Sequence, residues 1–431
     1  MVDFYNENNS REFGVSFMGR RVVITGWGLV NSLSCDVDDC WNRILNGESG
    51  IHRIKLFEVD DIKVQIGGDV YDWNANDIIG QKEANKIDRY SQFAMVAAQR
   101  AFTHSMFDPV GSENAARYGC ILGSGIGGMT TISEQMTRLV KKGPSRVSPM
   151  TIPKLMLNAG GGNIAIRHGL RGPNYSVATA CASATNAMGN AWELVRSNVC
   201  DLVVTGGTEA ALSRLAMSAF ANMKALSYSK EDPATVSRPF DAGRDGFVFS
   251  EGAGVLIFEE LEHAKTRGAN ILAEVVGFGT SCDAGHITSP DDTGTGAAMA
   301  MKMALQDAEL DPGQIDYINA HGTSTPLGDK AETRAVKTIF GEHAYGLSIS
   351  STKSQLGHSL GASGGIELIV SIKAILEGIV PPTINLTDPD PDCDLDYTPN
   401  VPKQREITYA MSNSFGFGGH NASIIVRKFS E

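Results

Sequence analysis

The stretch that most constrains this fold spans residues 174–196, NYSVATACASATNAMGNAWELVR. Its first part leans towards β structure through Tyr175, Val177 and Thr179, and reads as a buried strand. From Ala182 onward it is a run of small helix formers that closes on Ala191, Trp192 and Leu194. Cys181 sits at the switch, where the unpaired N–H groups and dipole of a helix N-terminus favour a thiolate. Ala178, Ala180, Ala182, Ser183 and Ala184 crowd it with small side chains, which lets another backbone or a substrate come close. Read alone, Cys181 is equally well a small buried residue, since free cysteine is often buried and inert.

The surrounding chain alternates strands and helices. Residues 21–27 read as a strand ending in glycine, 36–46 as a helix with Val37, Trp41 and Ile44 on one face, and 51–80 as irregular. Residues 88–102 have the apolar spacing of an amphipathic helix. Strands follow at 118–122 and 201–205. A glycine-punctuated loop at 240–254 leads to a strand at 255–258 and a helix at 259–266. The pattern then restarts. AEVVGFG at 273–279 resembles VVITGWG at 22–28, and a helix at 299–308 and strands at 315–319 and 347–350 follow in the same order. A glycine-rich helical region at 353–379 and a terminal hairpin around GFGGH complete the series. The reading is an α/β protein built by internal duplication.

GSGIGG at 123–128 has dinucleotide-turn spacing, but no acidic residue ends a following strand about twenty residues on, where a ribose contact belongs. It reads better as a strand-end turn where backbone approaches a ligand. No run of eighteen apolar residues is present, so no membrane span is expected. A net charge of −12 argues against general nucleic-acid binding, and an anionic partner would need a local basic patch. The seven cysteines show no metal-ligand spacing, which suits a reducing, cytoplasmic compartment and no bound metal. The fold is expected to begin at Met18, with residues 1–17 a flexible N-terminal extension. Residues 18–268 are expected to form a first half carrying the cysteine, and 269–431 a second half carrying two histidines.

Those histidines are His321, in NAHGTSTPLGD after a strand, and His358, in STKSQLGHSLGASGG five residues past Lys353. Each alone could be a satisfied core group. Together with TACASATNA around Cys181 and SNSFGFGGHN at 412–421, these motifs resemble the β-ketoacyl-acyl-carrier-protein synthases, ketosynthase II type, from about Gly19 to Lys428. The resemblance implies a thiolase-like fold with two similar five-stranded halves layered α-β-α-β-α, usually a homodimer. It implies decarboxylative condensation of malonyl-carrier protein with an acyl chain held on Cys181 in fatty-acid elongation. His321 and His358 would donate to the malonyl thioester oxygen, and the N–H groups of Cys181 and Phe417 would form a second oxyanion hole.

By the same resemblance Lys353 supports the His358 region, Glu367 is a buried structural acid, and Phe417 sits in the gating loop. Thr323 and Thr325 hydrogen-bond the phosphopantetheine arm, while Ile126 and Phe220 line the acyl pocket or simply pack the core. His420, where threonine is frequent, reads as a variation of the loop. The implied partner is acidic acyl carrier protein, docked by Lys82, Lys86, Arg89, Arg146 and Lys224, with Lys141 and Lys142 contributing. No cofactor is implied beyond the carrier's phosphopantetheine, with a structural monovalent cation allowed near Glu367. A thiolase would need a second cysteine in the C-terminal loop, and an initiating ketosynthase would show Cys-His-Asn. A ketosynthase of a dissociated polyketide pathway uses the same residues. A chain-length-factor-like partner subunit would lack the reactive cysteine.

Overall fold

Two runs of strands share one plan. The first comprises β1 (Val22–Val30), β2 (Tyr118–Gly123), β3 (Asn174–Val177), β4 (Leu202–Glu209) and β5 (Gly252–Glu260). The second comprises β6 (Ala273–Cys282), β7 (Tyr317–Asn319), β8 (Ser348–Ser350), β9 (Tyr409–Gly416) and β10 (His420–Arg427). This computed structural model describes residues 19–430, so the extension expected at 1–17 and a start at Met18 lie outside the described residues.

Hydrogen bonding orders the first run β3-β2-β4-β5-β1 and the second β8-β7-β9-β10-β6. Within each run the equivalent pairs are parallel or antiparallel alike. The runs join through a short antiparallel contact of β1 with β6, Val22 opposite Val275. The duplication read from the glycine-ended strands is therefore a duplication of topology.

The helices occupy equivalent places too. Helix α1 (Arg89–Ser105) follows β1, and α2 (Ser183–Arg196) follows β3. Helix α3 (Thr295–Asp307) follows β6, and α4 (Ser363–Glu377) follows β8. Helix α1 covers β1 and β5, and α3 covers β6 and β10. Helices α2 and α4 touch each other and strands of both halves, which makes them the middle of five α-β-α-β-α layers.

The faint sequence repeat has a packing cause. A Cβ on Gly26 or Gly28 would lie 2.4 and 2.2 Å from the carbonyl oxygens of Ala101 and Ala97 in α1. A Cβ on Gly277 or Gly279 would lie 2.4 and 2.1 Å from those of Ala304 and Ala300 in α3. Both outer helices press on their first strand closely enough that only glycine fits there.

Several boundaries differ from the sequence reading. Strand β3 is not buried: Asn174 and Tyr175 are exposed, because β3 is the last strand of its run with only β2 beside it. Strand β4 continues through Gly206 and Gly207 to Glu209, and Glu259 belongs to β5 and not to the following helix. The region 353–379 is broken into Lys353–Leu356 and α4. The helix at Val37–Leu45 starts where expected, with the Asp36 carboxylate accepting from the N–H groups of Asp38 and Asp39.

Candidate active site

Cys181 lies in a tight turn, Ala180–Ala182, that feeds directly into α2. Ala180 has a left-handed φ of 49°, costly for a residue with a side chain. Ser183 holds the turn: its Oγ donates to the Ala180 carbonyl at 2.6 Å and accepts the Thr179 N–H at 2.9 Å. The second half repeats this turn at Leu360–Ala362, with Leu360 at φ 45°, at the start of α4. The two turns face each other across the middle layer, which brings His358 onto Cys181.

The Nε2 of His358 is 3.0 Å from the Cys181 sulfur, and its Nδ1 is 3.0 Å from Ser363 Oγ. Its backbone is bonded on both sides, N–H to Val248 and C=O from Ser250, so the ring is held from its main chain. His321 follows β7. The Glu332 carboxylate fixes its segment by accepting the N–H groups of His321 and Gly322 at 2.9 and 2.8 Å. The two imidazoles stand edge to face, 5.4 Å apart between centroids at 87°. The His321 Nδ1 is buried and has no hydrogen-bond partner among the described residues.

Burial sets the protonation states. It pushes the Cys181 thiol up to about 12, against the opposing pull of Lys353 and the backbone N–H groups of Phe417 and Cys181. Burial, reinforced by Lys353, holds both His321 and His358 well below the ordinary imidazole value. Both shifts favour the neutral thiol and the neutral imidazole. Burial thus works against the thiolate that the helix end is expected to favour.

Beneath His358, Lys353 and Glu367 form an ion pair with both side chains almost wholly buried. Burial raises the Glu367 carboxyl and Lys353 opposes the rise. Glu367 thereby has its counter-charge in Lys353, and among the described residues no group of three or more His, Cys, Asp or Glu side chains could hold a metal.

A cavity of 650 Å³ opens over the cysteine and is lined by both histidines, Ile126, Phe220, Thr323, Thr325 and Phe417. The hydroxyls of Thr323 and Thr325 are 3.1 Å apart. Phe220 lies edge-on to Phe247 and Phe249, and Phe247 lies edge-on to His358.

The family model described as the β-ketoacyl synthase N-terminal domain matches residues 19–264, and that of the C-terminal domain matches residues 272–387. The chain belongs to the β-ketoacyl synthase family. It is 46% identical over 410 residues to 3-oxoacyl-[acyl-carrier-protein] synthase 2 of Synechocystis sp., covering 95% of this chain and 98% of that one. It is 47% identical to the enzyme of the same name from Staphylococcus aureus strain COL, over 95% and 99%. Among solved structures it is similar to a β-ketoacyl synthase from Burkholderia phymatum, at TM-score 0.87, 34% identity and coverage of 95% and 100%. A type II polyketide ketosynthase in complex with its acyl-carrier protein superposes at TM-score 0.88, with 33% identity and coverage of 95% and 100%.

In this β-ketoacyl synthase several site residues escaped the sequence reading. The foremost is Glu209, fully buried at the end of β4. Its carboxylate accepts from Ser124 Oγ and the N–H groups of Gly125, Ile126, Gly127 and Gly361 at 2.7–3.3 Å. The GSGIGG turn is therefore an anion nest filled by the protein's own carboxylate, and it presents Gly125 and Ile126 to the cavity. An acid ending a strand just past Gly206-Gly207 was the available signal. Ser363 and Glu332 lie five and eleven residues from the histidines they hold, but nothing in the sequence shows that the chain turns back to join them, and Phe247 meets His358 only through the fold.

Lys82, Lys86, Arg146 and Lys224 are exposed, as are Lys141 and Lys142, and Lys224 reaches the cavity mouth. Arg89 is corrected out of this set. Its guanidinium binds the buried Glu251 at 2.6 Å and the Val70 carbonyl at 2.7 Å, and lies over Phe93. His420 does not line the cavity; it pairs across the hairpin with Gly416 and across β6 with Cys282.

Proposed function

We propose that this chain is an elongating β-ketoacyl-acyl-carrier-protein synthase that condenses malonyl-carrier protein with an acyl chain carried as a thioester on Cys181. The observation that carries the reading is the 3.0 Å contact of His358 Nε2 with the Cys181 sulfur, with a second imidazole over the same cavity.

In the first half-reaction His358 takes the thiol proton as sulfur attacks the acyl thioester, and returns it to the departing carrier thiolate. A neutral pair suits this, since no charge need be buried until the transition state. The N–H groups of Cys181 and Phe417, both close enough to act on the sulfur, would receive the oxyanion. In the second half-reaction malonyl-carrier protein loses CO₂, and the enolate attacks the acyl carbon. His321 and the Nε2-protonated tautomer of His358 hydrogen-bond the enolate oxygen, and the tetrahedral intermediate expels the Cys181 sulfur, which takes from solvent the one proton that decarboxylation consumes. Thr323 and Thr325 hold the pantetheine arm, Phe417 gates it, and Ile126 and Phe220 bound the acyl chain. Lys353 and Glu367 set the field under the histidines. The sequence of steps needs no organic cofactor.

The exposed Lys82, Lys86, Arg146 and Lys224 supply a basic face for an acidic carrier protein. A homodimer is supported by β3, which has no strand on its outer side, and by exposed apolar residues on the segments leading to it: Met136, Val140, Ile152 and Tyr175. Seven free cysteines and the lack of a helix long and apolar enough to cross a membrane among the described residues agree with a cytoplasmic enzyme. Polyketide ketosynthases share the fold, but identity is higher to the synthases named 3-oxoacyl-acyl-carrier-protein synthase 2, which favours fatty-acid elongation.

Intact-protein mass spectrometry after incubation with a panel of acyl-carrier proteins tests the reading. An acyl adduct on wild type and none on Cys181→Ala, followed by β-ketoacyl product once malonyl-carrier protein is added, is the expected result. A wild type that acquires no acyl group from any donor would overturn it.

A further inference from the structure

Arg244 lies in the glycine-punctuated loop between residues 240 and 254, away from the reacting atoms, and its side chain is only 2% exposed. Every part of its guanidinium is engaged. The Nε donates to the Thr325 carbonyl at 3.0 Å, and Nη2 donates to the Pro326 carbonyl at 3.0 Å. The Nη1 donates to the Asp241 carbonyl at 2.7 Å and to Asp390 at 2.9 Å, while Asp329 lies 3.4 Å from Nε. One side chain thus ties three separate segments together: its own loop, the Thr323–Pro326 strip of the cavity wall, and the segment around Asp390.

The strip it holds is otherwise poorly anchored by regular structure. Residues 323–326 lie between β7 and the helix Gly328–Phe340, in no strand or helix, and Ser324 takes a left-handed φ of 69°. Further ties come from other segments: Gly246 N–H donates to the Ser324 carbonyl, the Arg238 N–H to Ser324 Oγ, and the N–H groups of Asp329 and Gly328 to the carbonyl and hydroxyl of Thr325. Arg244 holds the strip by carbonyls, which leaves the side chains of Thr323 and Thr325 on the cavity wall, their hydroxyls 3.1 Å apart and that of Thr325 accepting the Gly328 N–H. A fork of rigidly spaced donors is what such a task requires, and a lysine ammonium cannot reproduce it.

We infer that Arg244 is a positioning residue for substrate entry. It holds Thr323 and Thr325 where they receive the pantetheine arm, without taking part in proton transfer or carbon–carbon bond formation. This deepens the function proposed above and rests on it. Loss of the fork acts on capture of carrier-borne thioesters and leaves the Cys181–His358 pair as it is.

The test compares wild type with Arg244→Lys, which keeps the charge opposite Asp329 and Asp390. Steady-state kinetics with acyl- and malonyl-carrier proteins are run beside the rate of Cys181 alkylation by iodoacetamide, which has no pantetheine arm. A rise of about tenfold in KM, one hydrogen-bonded contact's worth, with kcat within about twofold and alkylation unchanged, is expected. Asp390→Asn, which frees only the outer anchor, gives a smaller KM rise of the same kind and serves if Arg244→Lys does not fold. Unchanged KM in the variants overturns the inference, as does a loss in which KM, kcat and alkylation move together, since that is a general structural defect. A wild type that forms no acyl adduct overturns instead the function on which the inference rests.

Discussion

His358 and Cys181, one from each half of a duplicated fold, meet with Nε2 3.0 Å from sulfur in a site where burial favours the neutral form of both. A cationic group acting on both is Lys353, itself paired with Glu367. The reactivity of the sulfur is therefore set by buried charges around the pair as much as by the pair.

Lys353→Met removes a cation that pulls the Cys181 thiol down and both imidazoles down. The thiol rises further, so alkylation at a fixed alkaline pH slows. The unpaired Glu367 costs about 3–5 kcal/mol of stability. Lys353→Met with Glu367→Leu recovers the stability in urea melts while alkylation stays slow. Recovery of both would show that the pair acts only through folding.

Glu209 acts on the thiol in the opposite sense, since its charge raises the thiol's pKa. Glu209→Gln therefore speeds iodoacetamide reaction at Cys181, because removing that charge lowers the thiol's pKa. It also turns an amide NH₂ towards N–H donors, loosens the turn that carries Ile126, and broadens the distribution of product chain lengths. Alkylation rates and product mass spectra report the two effects separately.

The basic face divides into docking and structural residues. Lys86→Glu with Lys224→Glu raises KM for carrier-borne substrates and leaves the melting temperature within a few degrees, as exposed charges do. Arg89→Glu places a second acid against the buried Glu251 and destabilises the fold by about 3 kcal/mol or more. Kinetics and thermal melts on the same preparations distinguish them, and an unchanged KM in the double variant removes this face from the docking surface.

A pH dependence of stability comes from Glu259, buried in β5. Burial alone would raise its carboxyl, but hydrogen bonds from Arg267, His263 and Thr25 outweigh burial and hold it below its ordinary value of 4.5. A lowered folded-state pKa gives stability that is present above the unfolded value and lost as pH falls through the folded one. Glu259→Gln is therefore less stable than wild type by roughly 3 kcal/mol at pH 7, and the gap narrows in urea melts carried towards pH 3. A gap independent of pH would assign the cost to packing.

Gly28→Ala and Gly279→Ala test the duplication itself. Each puts a methyl about 2 Å from a carbonyl of the covering helix, and each costs at least the roughly 1–3 kcal/mol of an overpacked core. Chemical denaturation of the two variants should give losses of similar size, because the contacts are equivalent.

The sequence by itself determined the alternation of strands and helices, the restart of the pattern near residue 273, and the candidates Cys181, His321 and His358. Each is written locally: in periodicity, in glycines where backbones touch, and in a reactive residue at a strand–helix switch. The roles of Lys353, Glu367 and the pocket residues came only through family resemblance, since nothing local distinguishes a cavity-lining phenylalanine from a core one. Tertiary structure decided the rest. It placed β3 at an edge, bound Arg89 to Glu251, filled the GSGIGG turn with Glu209 and made Arg244 the clasp of the threonine strip. It also set burial against the thiolate expected of Cys181. A thiol's pKa, a carboxylate's donors and a guanidinium's partners depend on what surrounds them in space, and those neighbours come from segments far apart in the chain.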